Sequence, residues 1–152
     1  MEIKKIIILI LVFVLMCGCT KQYTCTKESV TDEFDYSIEM NLTFSNNKIK
    51  KVNSDISYRL TDEGYKQVDT LEETLQNRND NYSIDKVVSF DFKIENKLVN
   101  IYEKIDFSNV NSDEREKVLG YSDLSIVYFN SKYKTNEVIE ELKNNNFTCE
   151  LK

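Results

Sequence analysis

The 152-residue chain contains no histidine, which excludes catalysis by Ser-His-Asp or Cys-His groups, as well as zinc ligation and proton transfer by histidine. Its 26 acidic residues outnumber its 20 lysines and arginines, and the net charge of −6 argues against nucleic acid as a partner. An enzyme built from this sequence would have to use carboxylate, lysine, tyrosine or cysteine side chains.

The chain begins with the pattern of an export signal. Lys4 and Lys5 precede an unbroken apolar run from Ile6 to Met16. As a helix this run would reach only ~16 Å, against a hydrocarbon core of ~30 Å. We therefore expect cleavage rather than a membrane span.

The residues after the apolar run predict a lipoprotein signal occupying residues 1–18. Gly18 is the small residue before the cut, and Cys19 would receive a diacylglyceryl group and become the new N-terminus. Cys17 is a poorer acceptor because the bulky Met16 precedes it. The alternatives are an ordinary secretory signal and a retained anchor helix.

Cleavage after Gly18 would remove two lysines and one glutamate, so the mature chain would be one unit more acidic. Residues 19–22 are expected to form the lipidated N-terminus and a short tether, and residues 23–152 a single domain. At ~3.5 Å per residue this tether gives about 10 Å of slack. The domain should therefore lie close to the membrane, on its extracytoplasmic face.

Period-two and helical patterns alternate along the mature chain. The clearest is the alternation of apolar and polar residues from Phe34 to Phe44, which predicts a half-buried strand ending in an asparagine turn. The predicted strands are residues 23–28, 34–44, 49–60, 88–94, 99–107, 124–129 and 147–151. The predicted helices begin at the caps Thr61, Ser112 and Thr135, and the first ends near Gln76, before a polar loop from Asn77 to Ser83.

Two hairpins with three helices between and after them predict an α+β domain. The one-sided alternation of the strands favours an antiparallel sheet with helices packed on one face.

Four features carry a resemblance to a known family. They are the signal ending at Cys19, the long strand that turns at Leu42 to Lys48, the helix after Thr61, and the ending Glu137 to Phe147. In these the chain resembles the YehR-like family of small bacterial lipoproteins of unknown function. The resemblance implies a fold and an envelope location, and it supplies no activity and no functional residues.

Cys25 and Cys149 lie in matching contexts, Tyr-Thr-Cys and Phe-Thr-Cys, in the first and last predicted strands. If those strands are neighbours, the two cysteines can form a disulfide, which an extracytoplasmic compartment permits. Two buried free thiols are the alternative. A catalytic pair is disfavoured, because neither a Cys-x-x-Cys motif nor a neighbouring base lowers a thiol pKa.

Core packing is the default interpretation of the aromatic residues, but Tyr121, Tyr128 and Tyr133 are less periodic and are candidates for an exposed binding edge. The asparagine-rich stretch after Gln76 superficially resembles a calcium loop, but it has Tyr82 where glycine is required. The sequence therefore predicts no metal, no cofactor and no catalytic residues.

These observations favour a non-enzymatic, lipid-anchored binding or interaction module on the outer face of the cytoplasmic membrane. Its partners would be the membrane, through the N-terminal diacylglyceryl anchor, and an envelope protein. A small envelope enzyme that uses carboxylates and a carrier of a small ligand are the alternatives.

Overall fold

The computed structural model describes residues 20–30, 35–82 and 87–152. The strands are β1 (Thr20–Val30), β2 (Asp35–Ser45), β3 (Lys48–Arg59), β4 (Val88–Glu95), β5 (Leu98–Asp106) and β6 (Thr148–Leu151). They form one six-stranded sheet in the order β4-β5-β3-β2-β1-β6, and each neighbouring pair is antiparallel. The helices are α1 (Asp62–Tyr65), α2 (Val68–Tyr82), α3 (Ser112–Leu119), a 3₁₀ helix (Ser125–Phe129) and α4 (Thr135–Asn144).

Both predicted hairpins are present, and asparagine makes each turn. Asn46 and Asn47 join β2 to β3 with φ angles of 52° and 59°, and Asn96 joins β4 to β5 with a φ of 55°. Asparagine tolerates this left-handed region better than most residues because its short side chain bonds locally. β3 and β5 then pair and join the two hairpins into one sheet.

The strand register places the apolar residues on one face of the sheet. Met40, for example, lies opposite Cys25 on one side and Ser54 on the other. The buried strand residues on this face are Cys25, Ile38, Met40, Leu42, Phe44, Ile49, Val52, Val88, Phe90, Val99, Ile101 and Ile105. The opposite face carries mainly polar residues that are exposed or half-buried, so the predicted arrangement of an antiparallel sheet with one buried face is confirmed.

The helices bury their apolar side chains in the same core as the sheet. Val118 from α3, Phe129 from the 3₁₀ helix and Leu142 from α4 are each at most 1% exposed. In α2, Leu75 and Tyr82 lie two turns apart and are both buried. The molecule is thus an α+β domain with a shared core. Within the described ranges no helix combines the length and apolarity needed to cross a membrane.

Three predicted elements differ from the structure. The helix predicted from Thr61 to about Gln76 is interrupted by a turn at residues 66–67, which separates α1 from α2. The polar stretch from Asn77 is helical as far as Tyr82, because Tyr82 packs in the core and extends the buried stripe of α2. The apolar run from Leu124 to Phe129 forms a 3₁₀ helix rather than a strand. A short buried apolar run has no periodicity that separates a strand from a 3₁₀ helix.

The structure also corrects two predicted caps and the tether. Lys134, not Thr135, is the N-cap of α4, and Asn111, not Ser112, is the N-cap of α3. Residues 20–22, which we expected to form a tether, belong to β1 and pair with β2. The predictions for residues 1–19, including Gly18 and Cys19, and for Phe34 lie outside the described residues.

The cap of α3 provides a test of this assignment. The Asn111 side chain accepts a hydrogen bond from the Glu114 N–H, and the Glu114 carboxylate accepts one from the Asn111 N–H. We expect Asn111→Ala to lower the free energy of unfolding by about 1 kcal/mol, measured by urea denaturation. Ser112→Ala is the control and should have little effect. A larger loss for Ser112→Ala than for Asn111→Ala would contradict the capping assignment.

Candidate functional site

One end of the sheet brings together the start of β1 and the start of β3. Thr20 lies opposite Ser45 at the end of β2, and Ser45 lies opposite Lys48 at the start of β3. Adjacent strands are ~4.8 Å apart, so the backbone of Lys48 is about 10 Å from that of Thr20. Thr20 directly follows Cys19 in the chain, so Lys48 lies at the end of the sheet where the domain joins its N-terminal segment.

A cavity of about 470 Å³ opens at this end of the sheet. Two cations, three hydroxyl groups, one carboxylate and one leucine line it: Lys48, Arg115, Ser112, Ser131, Tyr133, Glu116 and Leu119. Four of these residues come from α3 at positions i, i+3, i+4 and i+7, which is the spacing that puts side chains on one helix face. We call this space the Arg115 cavity.

The segment after the 3₁₀ helix forms another wall of the Arg115 cavity. Asn130 and Ser131 have φ angles of 49° and 60°, a left-handed turn that ends the helix. Backbone hydrogen bonds then join the segment to the β2–β3 hairpin: the Ile49 N–H donates to the Tyr133 carbonyl at 2.9 Å, and the Thr135 N–H donates to the Asn47 carbonyl at 3.2 Å. Lys48 and Tyr133 are thereby held side by side.

The Arg115 cavity is locally cationic on an acidic protein. The Nε atom of Arg115 is buried and has no hydrogen-bond partner among the described residues. The Lys48 ammonium lies 5.9 Å from the centre of the Tyr133 ring. Glu116 is the one acid on the cavity wall, and the described part of the chain shows no ion pair from it to either cation. The arrangement therefore offers donors and positive charge to an anion.

The three tyrosines of the predicted binding edge have different surroundings. Tyr133 lines the Arg115 cavity. The Tyr121 ring packs 5.2 Å from Tyr82, and the Tyr128 ring packs 5.1 Å from Phe147. Each of the latter two is half-buried against another aromatic ring of the chain. A single edge formed by all three tyrosines is not what the structure displays, and a binding role for each stays a prediction.

A second group of polar side chains lies buried between the sheet and the 3₁₀ helix. Glu103 on β5 is 3% exposed, and its Oε2 accepts a hydrogen bond of 2.8 Å from the Ser125 N–H. The Ser125 hydroxyl lies 2.6 Å from that of Ser54, which is the register partner of Glu103 on β3. These bonds hold the first turn of the 3₁₀ helix against the sheet.

Arg78 and Asp123 continue this group toward the surface. Arg78 Nε lies 3.4 Å from Asp123 Oδ2, and the Tyr82 hydroxyl donates to Asp123 Oδ1. Burial raises the pKa of Glu103, and the hydrogen bonds from Ser125 and the charge of Arg78 oppose that rise. Burial and the hydrogen bond to Asp123 raise the pKa of Tyr82. Because the Glu103 carboxylate is buried and accepts a hydrogen bond from within the protein, we assign it a structural role.

The structure joins Cys25 and Cys149 by the predicted disulfide. The two residues are register partners on the adjacent strands β1 and β6, with Cα atoms 4.0 Å apart. The bond fastens the four-residue edge strand β6 to the strand that begins next to Cys19. Within the described ranges, no three acidic or cysteine side chains cluster as they would to hold a metal ion.

Comparison with known proteins bears on the fold. No protein-family model and no curated protein matches this sequence. The NMR structure of the Escherichia coli YehR protein is similar with a TM-score of 0.59 and 11% identity, over 88% of this chain and 93% of that one. An NMR structure of a protein from Streptococcus pneumoniae TIGR4 has a TM-score of 0.50 and 12% identity, over 88% and 87% of the two chains.

The chain therefore has a YehR-like fold, as the resemblance implied. At these identities the similarity shows the fold alone, and the sites described above have to be argued from this chain's own residues.

Sequence reasoning missed the Arg115 cavity and the Glu103 group. Ser54 and Glu103 could have been found from the sequence. Each is a polar residue at a strand position where the alternation predicts an apolar one. The spacing of Ser112, Arg115 and Glu116 on one face of α3 was visible as well. The sequence does not predict that Lys48 and Tyr133 lie against this face of α3, because three separate segments of the chain form the cavity.

Proposed function

We propose that this chain is a lipid-anchored binding module on the outer face of the cytoplasmic membrane, held through Cys19, with the Arg115 cavity as its ligand site. One observation carries the proposal: the cavity lies at the end of the sheet where β1 begins, and β1 begins at the residue after Cys19. An acyl anchor on Cys19 would therefore bring the cavity to the membrane surface.

The proposal includes membership of the YehR-like lipoprotein family. The shared fold supports it, as does the sequence of residues 1–19, with its apolar run followed by Gly18 and Cys19. Two acyl chains contribute ~0.8 kcal/mol per buried CH₂, which is enough for stable anchoring of a small domain.

Acylation of Cys19 is testable in cells that produce the full chain. We expect radiolabelled palmitate to be incorporated into the wild-type protein, and Cys19→Ser to abolish incorporation and to release the protein from the membrane fraction, because the thioether to the lipid cannot form. Cys17→Ser is the matched control and should retain both label and membrane association. Label that survives in Cys19→Ser, or is lost in Cys17→Ser, would contradict the proposal.

The binding role needs its own measurement. Native mass spectrometry of the protein gently extracted from its own membranes should show the acylated chain with the added mass of a small bound ligand. A second protein in fixed stoichiometry would instead point to an interaction module with a protein partner. The bare acylated chain would argue against a tightly held ligand.

A further inference from the structure

We propose that the Arg115 cavity binds a phosphate group, with the headgroup of an anionic membrane phospholipid as its source. The inference rests on the proposed function, because the anchor on Cys19 is what would bring the cavity to the membrane surface. It adds the chemical class of the ligand and the two residues that would bind it, Arg115 and Lys48.

The first argument is the chemistry of the cavity wall. The buried Nε–H of Arg115 is a donor with no acceptor in the described part of the chain, and leaving such a donor unsatisfied is unfavourable. Phosphate oxygens suit a guanidinium because they accept two parallel hydrogen bonds, and a lysine adds a point charge. The Ser131 hydroxyl supplies a further donor on the same wall, whereas the Ser112 hydroxyl already donates to Asp113 Oδ1 at 3.2 Å.

The second argument is the contrast in charge. The whole chain has a net charge of −6, so an anion approaching most of its surface would be repelled. At the Arg115 cavity two cations face one carboxylate, Glu116. The cations of the cavity therefore attract an anion although the rest of the protein repels it. This favours binding at one specific site over nonspecific binding to the surface.

The third argument is location and shape. The backbone of Lys48 lies about 10 Å from that of Thr20, across two strand spacings, so an anchor on Cys19 would hold the mouth of the cavity near the headgroup layer. Tyr133 and Leu119 add an amphipathic ring and an apolar side chain to the wall, the type of groups that contact a lipid at headgroup level. A cavity of about 470 Å³ is large enough for a phosphoglycerol headgroup.

The test is a calorimetric titration of the full acylated protein in dodecyl maltoside micelles. The probes are dioctanoyl phosphatidylglycerol, zwitterionic dioctanoyl phosphatidylcholine and inorganic phosphate. We expect saturable binding of phosphatidylglycerol and clearly weaker binding of phosphatidylcholine. Arg115→Gln and Lys48→Gln should each weaken phosphatidylglycerol binding by about tenfold, because each removes a charge-assisted hydrogen bond.

Lys104→Gln is the matched control, since it removes one positive charge from an exposed position on the polar face of β5. It should bind as the wild type does. Lys48 is also exposed, so Lys48→Gln should fold normally even if Arg115→Gln does not, and thermal unfolding of each variant checks this.

Three outcomes would overturn the inference or part of it. Absence of binding to both phosphatidylglycerol and phosphate would overturn the anion site, as would equal weakening by Lys104→Gln. Binding of phosphate without phosphatidylglycerol would uphold the anion chemistry and overturn the lipid source. The same titration with Cys19→Ser separates the anchor proposal from the anion-site proposal, because that variant lacks the anchor and keeps every residue of the cavity. Its binding of phosphatidylglycerol therefore depends on the anion site alone.

Discussion

Replacement of both Cys25 and Cys149 by alanine is expected to lower the free energy of unfolding by about 4 kcal/mol. The disulfide joins residues 124 positions apart, so it closes nearly the whole domain into one loop and restricts the unfolded chain strongly. The folded state loses support as well, because β6 has only four residues and lies at the edge of the sheet. Without the bond, β6 is held by its backbone pairing with β1 and by the side chains that flank it, Phe147 in the core and Lys152 on Asn41.

The measurement is urea denaturation of the oxidised wild type and of the double variant. A reductant should shift the wild-type midpoint toward that of the double variant and leave the double variant unchanged. Hydrogen exchange should accelerate most at the amides of residues 148–151. Alkylation of both cysteines in the folded wild type without reductant would contradict the disulfide.

Glu103→Ala is expected to lower the free energy of unfolding by about 2 to 4 kcal/mol. The change removes the acceptor of the Ser125 N–H and leaves a buried donor unsatisfied, and it opens a space between β5 and the 3₁₀ helix. The measurement is urea denaturation at neutral pH, with loss of near-ultraviolet circular dichroism from the tyrosines as a second readout.

Glu103→Gln is the control, because an amide oxygen can still accept the Ser125 N–H. It should change stability by about 1 kcal/mol or less. Its difference from the wild type should depend on pH. Burial raises the pKa of Glu103 above its ordinary 4.5, so the folded state binds this proton more tightly than the unfolded state does.

The free energy of unfolding contributed by Glu103 therefore falls as pH rises from about 4.5 through the raised folded pKa, and it is constant outside that window. Over that pH interval the wild type should therefore lose stability relative to Glu103→Gln. A pH-independent difference, or one that favours the wild type as pH rises, would contradict the assignment. Equal stability of Glu103→Ala and Glu103→Gln would contradict the role of the carboxylate oxygen.

The regular elements were largely predictable because their signals are local. Alternation over eleven residues identified β2, which spans Asp35–Ser45. Asparagine chemistry identified the hairpin turns at Asn46, Asn47 and Asn96. The matching contexts of Cys25 and Cys149 predicted a pair that lies on adjacent strands. In each case a few neighbouring residues contain the information, through side-chain period or through tolerance of a backbone angle.

The errors fall where the local pattern is ambiguous. The run from Leu124 to Phe129 is mostly apolar, so no period separated a strand from a 3₁₀ helix, and in the structure the Ser125 N–H donates to the Glu103 side chain rather than to a neighbouring strand. The polar stretch after Gln76 remained helical because of one buried ring, that of Tyr82, at its far end. The caps Asn111 and Lys134 each lie one residue before the predicted ones, which is the usual scale of boundary error.

The sequence by itself predicted an export signal at residues 1–19. It determined the α+β class, the two hairpins and the exclusion of histidine chemistry, because these depend on composition and on short-range order. The tertiary structure decided which residues from distant parts of the chain lie together. It placed Lys48 from β3, Arg115 from α3 and Tyr133 from the segment before α4 around one cavity, and it set that cavity at the end of the sheet where β1 begins. Contacts among residues so far apart in the chain depend on sheet order and helix packing, and those follow from burial of the whole core rather than from any one segment.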